Sequence, residues 1–291
     1  MTTSPADLQN PFCLKPVESE AQFFGREQEI RRALRFLHQE QSVSIVGSAG
    51  IGKTSFLLHV ARPLVRAKQK LAEEQVFVYF DCDLLAECEQ GECYLRIREG
   101  AIQQIKNMES LDKAVGTELE KAVHKASLQT AYFALRTMFQ VAQENDLHLV
   151  VLLDNFESLA RNSLLDWSFF SSLRGLPDRY PMAYLVASQL SMYELEQVRS
   201  EASPFFNIFV AVPFDQLDSA ESSKLVCTLL KRVPVEFPDS VIGHILDLGG
   251  NRPDRLQWAG YVAFRLWQAN GGSLCDEHCG EISRQFETCE V

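Results

Sequence analysis

One stretch in the first fifth of the chain constrains the fold more than any other part. Residues 42–55 read SVSIVGSAGIGKTS, so a short apolar run precedes a glycine-rich segment, and apolar residues at helical spacing follow it. The segment Gly47–Thr54 matches G-x-x-x-x-G-K-[ST] at each fixed position. Because glycines leave backbone N–H groups free to surround an anion, a strand, this loop and a helix in that order predict a phosphate-binding loop.

The same stretch predicts which groups hold a nucleotide. We expect Lys53 to reach the β- and γ-phosphates and the Thr54 hydroxyl to ligate Mg²⁺, while the helix N-terminus adds partial positive charge. The other expected binding residues of the loop are Gly47, Ser48, Ala49, Gly50, Ile51, Gly52 and Ser55. The sequence therefore predicts a site for a nucleoside triphosphate and Mg²⁺.

Composition narrows the classes of partner and compartment. The 291 residues carry a net charge of −11, whereas a freestanding DNA-binding protein is usually basic, so nucleic acid is a possible but not the favoured partner. No apolar run approaches about 18 residues, and residues 1–12 lack the basic start and apolar core of a signal peptide, so we expect neither a membrane span nor a leader. The eight irregularly spaced cysteines fit reduced thiols, and we expect a cytoplasmic protein.

Apolar runs beyond the loop predict the fold class. Four further strands are expected at residues 75–82, 147–154, 182–189 and 206–213. Their apolar residues do not alternate cleanly with polar ones, which is the pattern of strands that are buried on both faces. With helical connections between them, the five strands predict an α/β fold with a mostly parallel, five-stranded sheet that helices cover on both faces.

Changes of pattern along the chain predict its domains. Residues 1–22 are polar and contain prolines, which predicts an extended lead-in, and residues 23–214 hold the phosphate loop and the strands. Within the latter, residues 94–145 have helical spacing and predict two or three helices. Residues 215–270 keep helical spacing without strands and predict a small all-helical lid domain, and residues 271–291 are expected to form a polar tail.

Acidic residues follow two of the expected strands. The third strand closes on Asp154, which we expect to bind Mg²⁺ directly or through water. Glu157 is the next carboxylate and a candidate general base, and a surface position in the following loop is the alternative interpretation. Asp81 and Asp83 follow the second strand and are either ligands at the carboxyl edge of the sheet or solvated turn residues.

Cysteine and histidine recur in the expected tail. Residues 275–279 read CDEHC and Cys289 follows, so this segment contains several potential zinc ligands. Their spacing matches no standard structural zinc site. Unpaired cysteines in a tail are the other interpretation, and the sequence leaves both open.

Four motifs stand in order along the chain. They read FFGREQE at residues 23–29, GSAGIGKTS at 47–55, LLDNFES at 152–158 and GGNRP at 249–253. Together they resemble the STAND class of signal-transduction NTPases, a branch of the P-loop AAA+ superfamily, and the related archaeal-type ATPases, over about residues 11–270. The resemblance implies a five-stranded sheet in the order 5-1-4-3-2 with a helical lid, ATP and Mg²⁺ as ligands, and an ATP-dependent switch that oligomerises.

The resemblance also implies roles for residues outside the phosphate loop. Gly25 and Arg26 would contact the base side of the nucleotide, and a turn with two core aromatic residues is the alternative for their motif. The lid turn, around Arg252 and Pro253, would contact the phosphates or the ribose, and Arg255 flanks the same proline. The family's lid turn is usually Gly-x-Pro, whereas here two residues separate the glycine from the proline, so we expect that contact to shift.

Further positions concern hydrolysis. Gln189 stands where many members carry an arginine, so an amide would sense the γ-phosphate. In the AAA+ layout, an arginine that acts on the neighbouring subunit lies near the end of the helix before the fifth strand; Arg199 fits this place, and Arg174 is the second candidate. Asn155 stands where many hydrolysing relatives carry a glutamate, and because an amide cannot take a proton from water, we expect slow turnover.

These features lead to one expected function and two alternatives. We expect an ATPase that binds ATP, hydrolyses it slowly and uses its nucleotide state to control homo-oligomerisation and the engagement of a protein partner or effector. The first alternative is a DNA-associated AAA+ ATPase that resembles origin-binding or transposition-regulating proteins. The second is an ATP-locked scaffold without turnover.

Overall fold

The structure is a computed structural model that describes residues 5–17, 19, 22–68, 75–107, 117, 130–198 and 203–288. These residues divide into two compact units. The helical unit contains the described residues of 1–27, 48–55 and 215–291, and the sheet unit contains those of 28–47 and 56–214. Each unit has an apolar core of its own.

Among the described residues, five strands form one sheet in the sheet unit. They are β1 (Ser42–Val46), β2 (Gln75–Asp81), β3 (His148–Asp154), β4 (Met182–Ser188) and β5 (Phe209–Pro213). Their order is β2-β3-β4-β1-β5, and each neighbouring pair runs parallel. The predicted fold class and strand order are therefore confirmed.

The parallel pairing places the strand ends at one edge of the sheet. Asp81 at the end of β2 lies in register with Asp154 at the end of β3, and Val46 at the end of β1 lies in register with Ser188 at the end of β4. Almost all of β3 and all of β4 are buried, which explains why their apolar residues do not alternate with polar ones. Polar residues that follow the strands consequently collect at this carboxyl edge.

The fifth strand begins later than the sequence predicts. Pro204–Ile208 form a 3-10 helix, and β5 starts at Phe209 rather than at Phe206. Ser203 caps this helix, because its Oγ accepts a hydrogen bond from the N–H of Phe205 at 3.4 Å. A proline follows at the first helical position, where the missing N–H has no partner to lose. Local capping therefore overrides the apolar run that favours a strand.

Helices connect the strands. In chain order they are α1 (Glu27–His38), α2 (Lys53–Val60), α3 (Pro63–Lys68), α4 (Gln90–Lys106), α5 (Ala131–Glu144), α6 (Phe156–Arg161), α7 (Trp167–Arg174) and α8 (Met192–Val198). Two of them, α4 and α5, lie where the spacing of residues 94–145 predicts helices; residues 108–116 and 118–129 of that segment lie outside the described residues. Throughout the part of the chain that the structure describes, no helix is both long and apolar enough to cross a membrane.

Aromatic residues fill part of the core of the sheet unit around the 3-10 helix that precedes β5. Phe156 in α6, Phe170 in α7 and Tyr184 in β4 are buried around Phe205, with ring centroids 5.9, 5.8 and 5.5 Å from it. Such aromatic pairs add about 0.5–1.5 kcal/mol each beyond the burial of their area. This packing joins α6 and α7 to β4 through Phe205, and so helps to position the residues that follow β3.

The helical unit contains four further described helices. They are α9 (Ser219–Leu230), α10 (Asp239–Gly249), α11 (Pro253–Ala269) and α12 (Cys279–Glu287). A capping box starts α9: Asp218 Oδ1 accepts the N–H of Glu221 at 2.7 Å, and Glu221 Oε2 accepts the N–H of Asp218 at 3.1 Å. Gly250, with φ of +53°, ends α10 in the left-handed conformation that glycine adopts readily.

Segments predicted to be an extended lead-in and a polar tail pack into the core of the helical unit. Phe12 is 3% exposed and lies against α11, where a Cβ added to Gly260 would be 2.2 Å from the Phe12 ring. In the expected tail, α12 buries Ile282 and Phe286, which share a helix face at i, i+4 spacing. The tail prediction is wrong for this helix, because one pair of apolar residues in a polar sequence is a weak signal of docking.

Phe12 should hold the lead-in to the helical unit. We expect Phe12→Ala to lower the free energy of unfolding by about 3 kcal/mol, because it removes a buried ring and leaves a cavity beside Gly260. Leu14→Ala is the matched control on the same segment: Leu14 is 52% exposed, and its truncation should cost less than about 0.5 kcal/mol. Urea-induced unfolding measures both variants, and equal losses would contradict docking of the segment.

Candidate functional site

The phosphate loop has a backbone geometry that suits a bound anion. It follows β1, and Gly47 donates its N–H to the carbonyl oxygen of Ser188 at 3.2 Å. Gly50 and Gly52 have φ of +75° and +95°, a region that residues with a Cβ rarely enter. Helix α2 begins directly after them at Lys53. A glycine loop that leads into a helix N-terminus offers backbone N–H groups and a favourable dipole to an anion.

Lys53 supplies the positive charge of this loop. It is buried, and its Nζ donates to the carbonyl oxygen of Ser48 at 2.9 Å. Burial of an ammonium group is costly unless polar groups surround it, so the loop itself holds the charge in place. Thr54 follows in the first turn of α2. A cation, a hydroxyl and glycine backbone are the groups that a polyphosphate with a divalent cation needs, so the residues present fit such a ligand.

Ser55 has a different partner from the one expected. Its Oγ accepts the backbone N–H of Val17 at 2.9 Å. In this structure the hydroxyl therefore holds the lead-in segment to the start of α2, and its expected contact with the nucleotide stays a prediction.

The lid turn at the start of α11 lies against the phosphate loop within the helical unit. Arg252 donates from Nη2 to the carbonyl oxygen of Ala49 at 2.9 Å. Pro253 lies opposite Gly52, where an added Cβ would be 4.0 Å from its Cγ. Residues from two distant motifs of the sequence thus meet at the loop.

Asp254 completes this contact. Arg252 donates from Nε and Nη2 to Oδ1 and Oδ2 of Asp254, at 3.2 and 2.7 Å. This hydrogen-bonded carboxylate raises the pKa of Arg252 above its usual value. A Cβ added to Gly50 would lie 1.9 Å from Asp254 Oδ2, so the carboxylate borders the loop directly.

Gly25 and Arg26 form a turn that α9 holds. Both residues have positive φ, +71° and +67°. Glu221 Oε1 accepts the backbone N–H of Arg26 at 3.0 Å, and the buried Arg26 guanidinium donates to the carbonyl oxygen of Asp215. Because Glu221 also belongs to the capping box of α9, one side chain joins this turn to that helix. Contact of the turn with the base of a nucleotide stays a prediction.

Asp154 is fully buried at the end of β3. The Tyr79 hydroxyl donates to its Oδ2 at 3.0 Å, and the backbone N–H of Asn155 donates to its Oδ1 at 3.1 Å. Burial raises the pKa of Tyr79 above its usual value, and the charge of Asp154 adds to this effect, so the phenol stays protonated and remains a donor. Both carboxylate oxygens are thereby oriented, as in ligands that a supporting hydrogen bond prepares for a metal ion.

Asn155 is held by two acidic residues at and just after the end of β2. It has a left-handed backbone, with φ of +49°, at the start of α6. Its Nδ2 donates to Asp81 Oδ1 at 3.2 Å and to Asp83 Oδ2 at 3.0 Å, and the Ser158 hydroxyl donates to Asp83 Oδ1. Asp81, the last residue of β2, and Asp83, two residues later, therefore both accept hydrogen bonds from the amide nitrogen of Asn155.

Glu157 and Gln189 come together at the end of β4. Glu157 lies in the first turn of α6 and is 8% exposed, so its interpretation as a surface residue is wrong. Its Oε2 accepts the backbone N–H of Gln189 at 3.4 Å. The ring packing of the neighbouring Phe156 positions α6 for this contact.

The remaining predicted arginines have other surroundings. Arg199 lies outside the described residues. Arg174 donates to Asp178 within the same turn of chain. The Arg255 guanidinium lies 5.2 Å from the centre of the Phe286 ring, so Arg252 is the lid arginine that contacts the loop.

The cysteine and histidine segment brings together one pair. Cys275 Sγ lies 3.1 Å from His278 Nδ1. Cys289 lies outside the described residues, and within those that the structure does describe, no group of three or more His, Cys, Asp or Glu side chains is placed to hold a metal ion.

Three residues that organise these sites carry no role in the predictions from sequence. Glu221 had a readable signal, because Asp218 and Glu221 have the spacing of a capping box. Tyr79 and Asp254 had no such signal, because the residues that they contact, Asp154 and Gly50, are distant in the sequence.

Tyr79→Phe tests the support of Asp154. We expect it to lower the free energy of unfolding by about 1.5–3 kcal/mol, because it removes a hydrogen bond to a buried charge. Tyr184→Phe is the matched control, since its buried hydroxyl donates to the neutral carbonyl oxygen of Leu173 at 3.0 Å, and it should lose only about 1 kcal/mol. Urea unfolding at pH 7 compares them, and a smaller loss for Tyr79→Phe would contradict the assignment.

Comparisons with known proteins agree with this architecture. The Walker-type ATPase paby2304 of Pyrococcus abyssi has 15% identity and a TM-score of 0.65, over 96% of this chain and 78% of that one. The ORC2 protein of Aeropyrum pernix in ADPNP–ADP complexes has 16% identity and a TM-score of 0.66, over 91% of this chain and 67% of that one. The ORC1 protein of Aeropyrum pernix in complex with DNA has 14% identity and a TM-score of 0.59, over 94% of this chain and 67% of that one. At these identities the likeness shows the fold alone.

Sequence comparison identifies the family. No curated protein matches the chain. A profile of the AAA ATPase domain matches residues 22–186, which is more than half of the chain and includes the phosphate loop, Asp154 and Glu157. The chain therefore belongs to the AAA ATPase domain family and is a P-loop ATPase of the AAA+ superfamily.

Proposed function

We propose that this ATPase is a slow, nucleotide-dependent switch of the STAND type that binds ATP at its phosphate loop. The observation that carries the proposal is the loop, in which Gly50 and Gly52 take positive φ directly before Lys53 starts α2. Lys53 Nζ, held at the Ser48 carbonyl, is the group that would neutralise the β- and γ-phosphates.

Two residues would hold the metal ion that accompanies ATP. Mg²⁺ neutralises phosphate charge when it is bound. Thr54, in the first turn of α2, would contribute its hydroxyl, and Asp154 would contribute a carboxylate directly or through water. Support for Asp154 comes from its burial and from the hydrogen bonds that Tyr79 and the Asn155 N–H make to its two oxygens.

The environment of Asn155 and Glu157 supports slow hydrolysis. Asn155 cannot accept a proton from water, and its amide nitrogen is engaged by Asp81 and Asp83. Glu157 is therefore the proposed general base, and its Oε2 is held by the Gln189 N–H. Because this bond links the base to the end of β4, movement there would shift the carboxylate. Slow turnover would let the ATP-bound state last long enough to engage a partner.

The switch part of the proposal concerns assembly. The motifs at residues 23–29 and 249–253, which resemble those of STAND proteins, support it. We propose that the ATP-bound chain forms homo-oligomers that engage a protein partner or effector, and that Arg199 acts on the neighbouring subunit. The nucleotide can shift assembly only by the difference in its affinity for the two states.

Particle mass tests the switch. We expect light scattering at micromolar chain concentration to give a larger mass with ATP and Mg²⁺ than with ADP and Mg²⁺. If the chain binds both nucleotides but has the same mass with each, the proposed switch is wrong, whereas the ATPase activity is not affected by this result.

A DNA-associated ATPase is the second candidate, and one observation favours it. A solved structure with the same fold is an ORC1 protein in complex with DNA. The net charge of −11 opposes this candidate, since DNA binding depends on cations at the phosphates. An ATP-dependent shift of a DNA duplex that weakens as salt is raised would support it over the protein-partner switch.

Lys53→Ala tests the nucleotide site. We expect at least a thirtyfold loss of ATP affinity, or about 2 kcal/mol, because a buried cation that pairs with phosphate charge is removed. Lys231→Ala, at the exposed C-terminal cap of α9, changes the net charge equally and should leave affinity unchanged. Titration calorimetry with ATP and Mg²⁺ measures both, and equal affinities would place the site elsewhere.

Glu157→Gln tests the general base. We expect it to lower phosphate release at saturating ATP by about a hundredfold, because the amide cannot accept the proton of water. Asn155→Glu would add a carboxylate beside Asp81 and Asp83, so its effect should be measured also in the Asp83→Asn background. There we expect a faster rate than in Asp83→Asn alone. If Glu157→Gln retains the parent rate, the assignment fails.

A further inference from the structure

An acidic side chain borders the loop that is proposed to bind phosphates. Asp254 Oδ2 would be 1.9 Å, and its Cγ 2.4 Å, from a Cβ added to Gly50. The carboxylate is therefore in close approach to a glycine of the phosphate loop and not merely on the same helix. Only the missing side chain of Gly50 makes room for it.

The same carboxylate occupies the lid arginine. Arg252 gives Asp254 two hydrogen bonds, at 3.2 and 2.7 Å, and gives Ala49 a third, at 2.9 Å. Its positive charge is thus paired within the protein. The two side chains are 30% and 38% exposed, so water reduces the strength of this pair but does not remove it.

These contacts have a consequence for any phosphate bound by the loop. A carboxylate beside a phosphate repels it, and an arginine that is already paired attracts it less than a free one would. ATP must therefore draw Arg252 away from Asp254, or tolerate Asp254 nearby. In either case Asp254 opposes binding, most strongly for the ligand with the most phosphate charge.

We propose that Asp254 is an internal competitor of the nucleotide phosphates and sets the affinity of the site by holding Arg252. The inference rests on the proposed binding of ATP at the phosphate loop and names a residue that weakens it. The opposite role, in which Asp254 positions Arg252 for the phosphates, makes the contrary prediction, because its removal would then weaken ATP binding.

The experiment compares Asp254→Asn with the parent by titration calorimetry with Mg²⁺ and each of ATP, ADP and AMP. We expect about tenfold tighter binding of ATP, since relief of like-charge contact of this kind at a partly exposed site is worth about that factor. The gain should be smaller for ADP and absent for AMP. Unchanged or weaker ATP binding by a folded variant would overturn the proposal.

A matched control isolates the position of the charge. Asp239→Asn makes the same change in the first turn of α10, where Asp239 is exposed, and should leave ATP affinity unchanged. If Asp254→Asn does not fold, Asp254→Ser replaces it, because serine is also accepted near a helix start. A similar gain from Asp239→Asn would show an effect of net charge alone and would overturn the proposal.

A double-mutant cycle tests the coupling with Arg252. If Asp254 holds Arg252, then Arg252→Gln should weaken ATP binding more in the Asp254→Asn background than in the parent. Equal effects in the two backgrounds would contradict the competition. Lys53→Ala separates this inference from the proposed function: a parent that binds no ATP overturns both, whereas a parent that binds through Lys53 without a gain from Asp254→Asn overturns the inference alone.

Discussion

A phosphate loop surrounds an anion with backbone N–H groups by adopting conformations that side chains disfavour, and the arrangement of the site depends on this constraint. Gly50 and Gly52 take positive φ, so the loop can turn tightly and enter α2 at Lys53. Such a loop must follow a strand that is itself held firmly. In the sheet, β1 satisfies this condition, because β4 and β5 pair with it on its two sides. The phosphate loop therefore requires both its own glycines and a buried strand that holds the start of the loop in place.

Parallel pairing adds a second constraint, because it gathers the groups that follow every strand at one edge. Asp81 and Asp154 lie in register across β2 and β3, and Glu157 meets the backbone that follows β4. Like charges so close together need donors between them. Asn155 provides one, since its amide nitrogen bonds to Asp81 and Asp83. A glutamate at that position would add charge where the edge is already acidic, which gives the asparagine a physical reason to be there.

Much of this architecture could be predicted from the sequence, because its signals are local. Each predicted element has a signal within a few residues of it. These signals are the phosphate loop, the apolar runs that become β1 to β4 and the proline at the start of α11. The 3-10 helix at Pro204–Ile208 escaped prediction because a serine cap and a proline compete with an apolar run. Packing partners could not be read, since Phe12 and Gly260, or Gly50 and Asp254, are related only by the folded chain. The sequence therefore missed mainly the pairing of distant residues, together with two short elements, the 3-10 helix before β5 and the helix α12.

Arg252 shows why such pairing would matter for the proposed switch. In the structure its guanidinium bonds to Asp254 and to the Ala49 carbonyl, and with ATP bound its partners would include phosphate. An exchange of partners keeps the number of hydrogen bonds similar, so their number alone favours neither arrangement. A ligand shifts an equilibrium only by the difference in its affinity for the two arrangements. When the arrangements differ little in free energy, a modest difference in affinity is enough to shift the population from one to the other. Without Asp254, Arg252 would be free to contact phosphate before ATP binds. ATP would then bind more tightly, but its binding would cause a smaller conformational change.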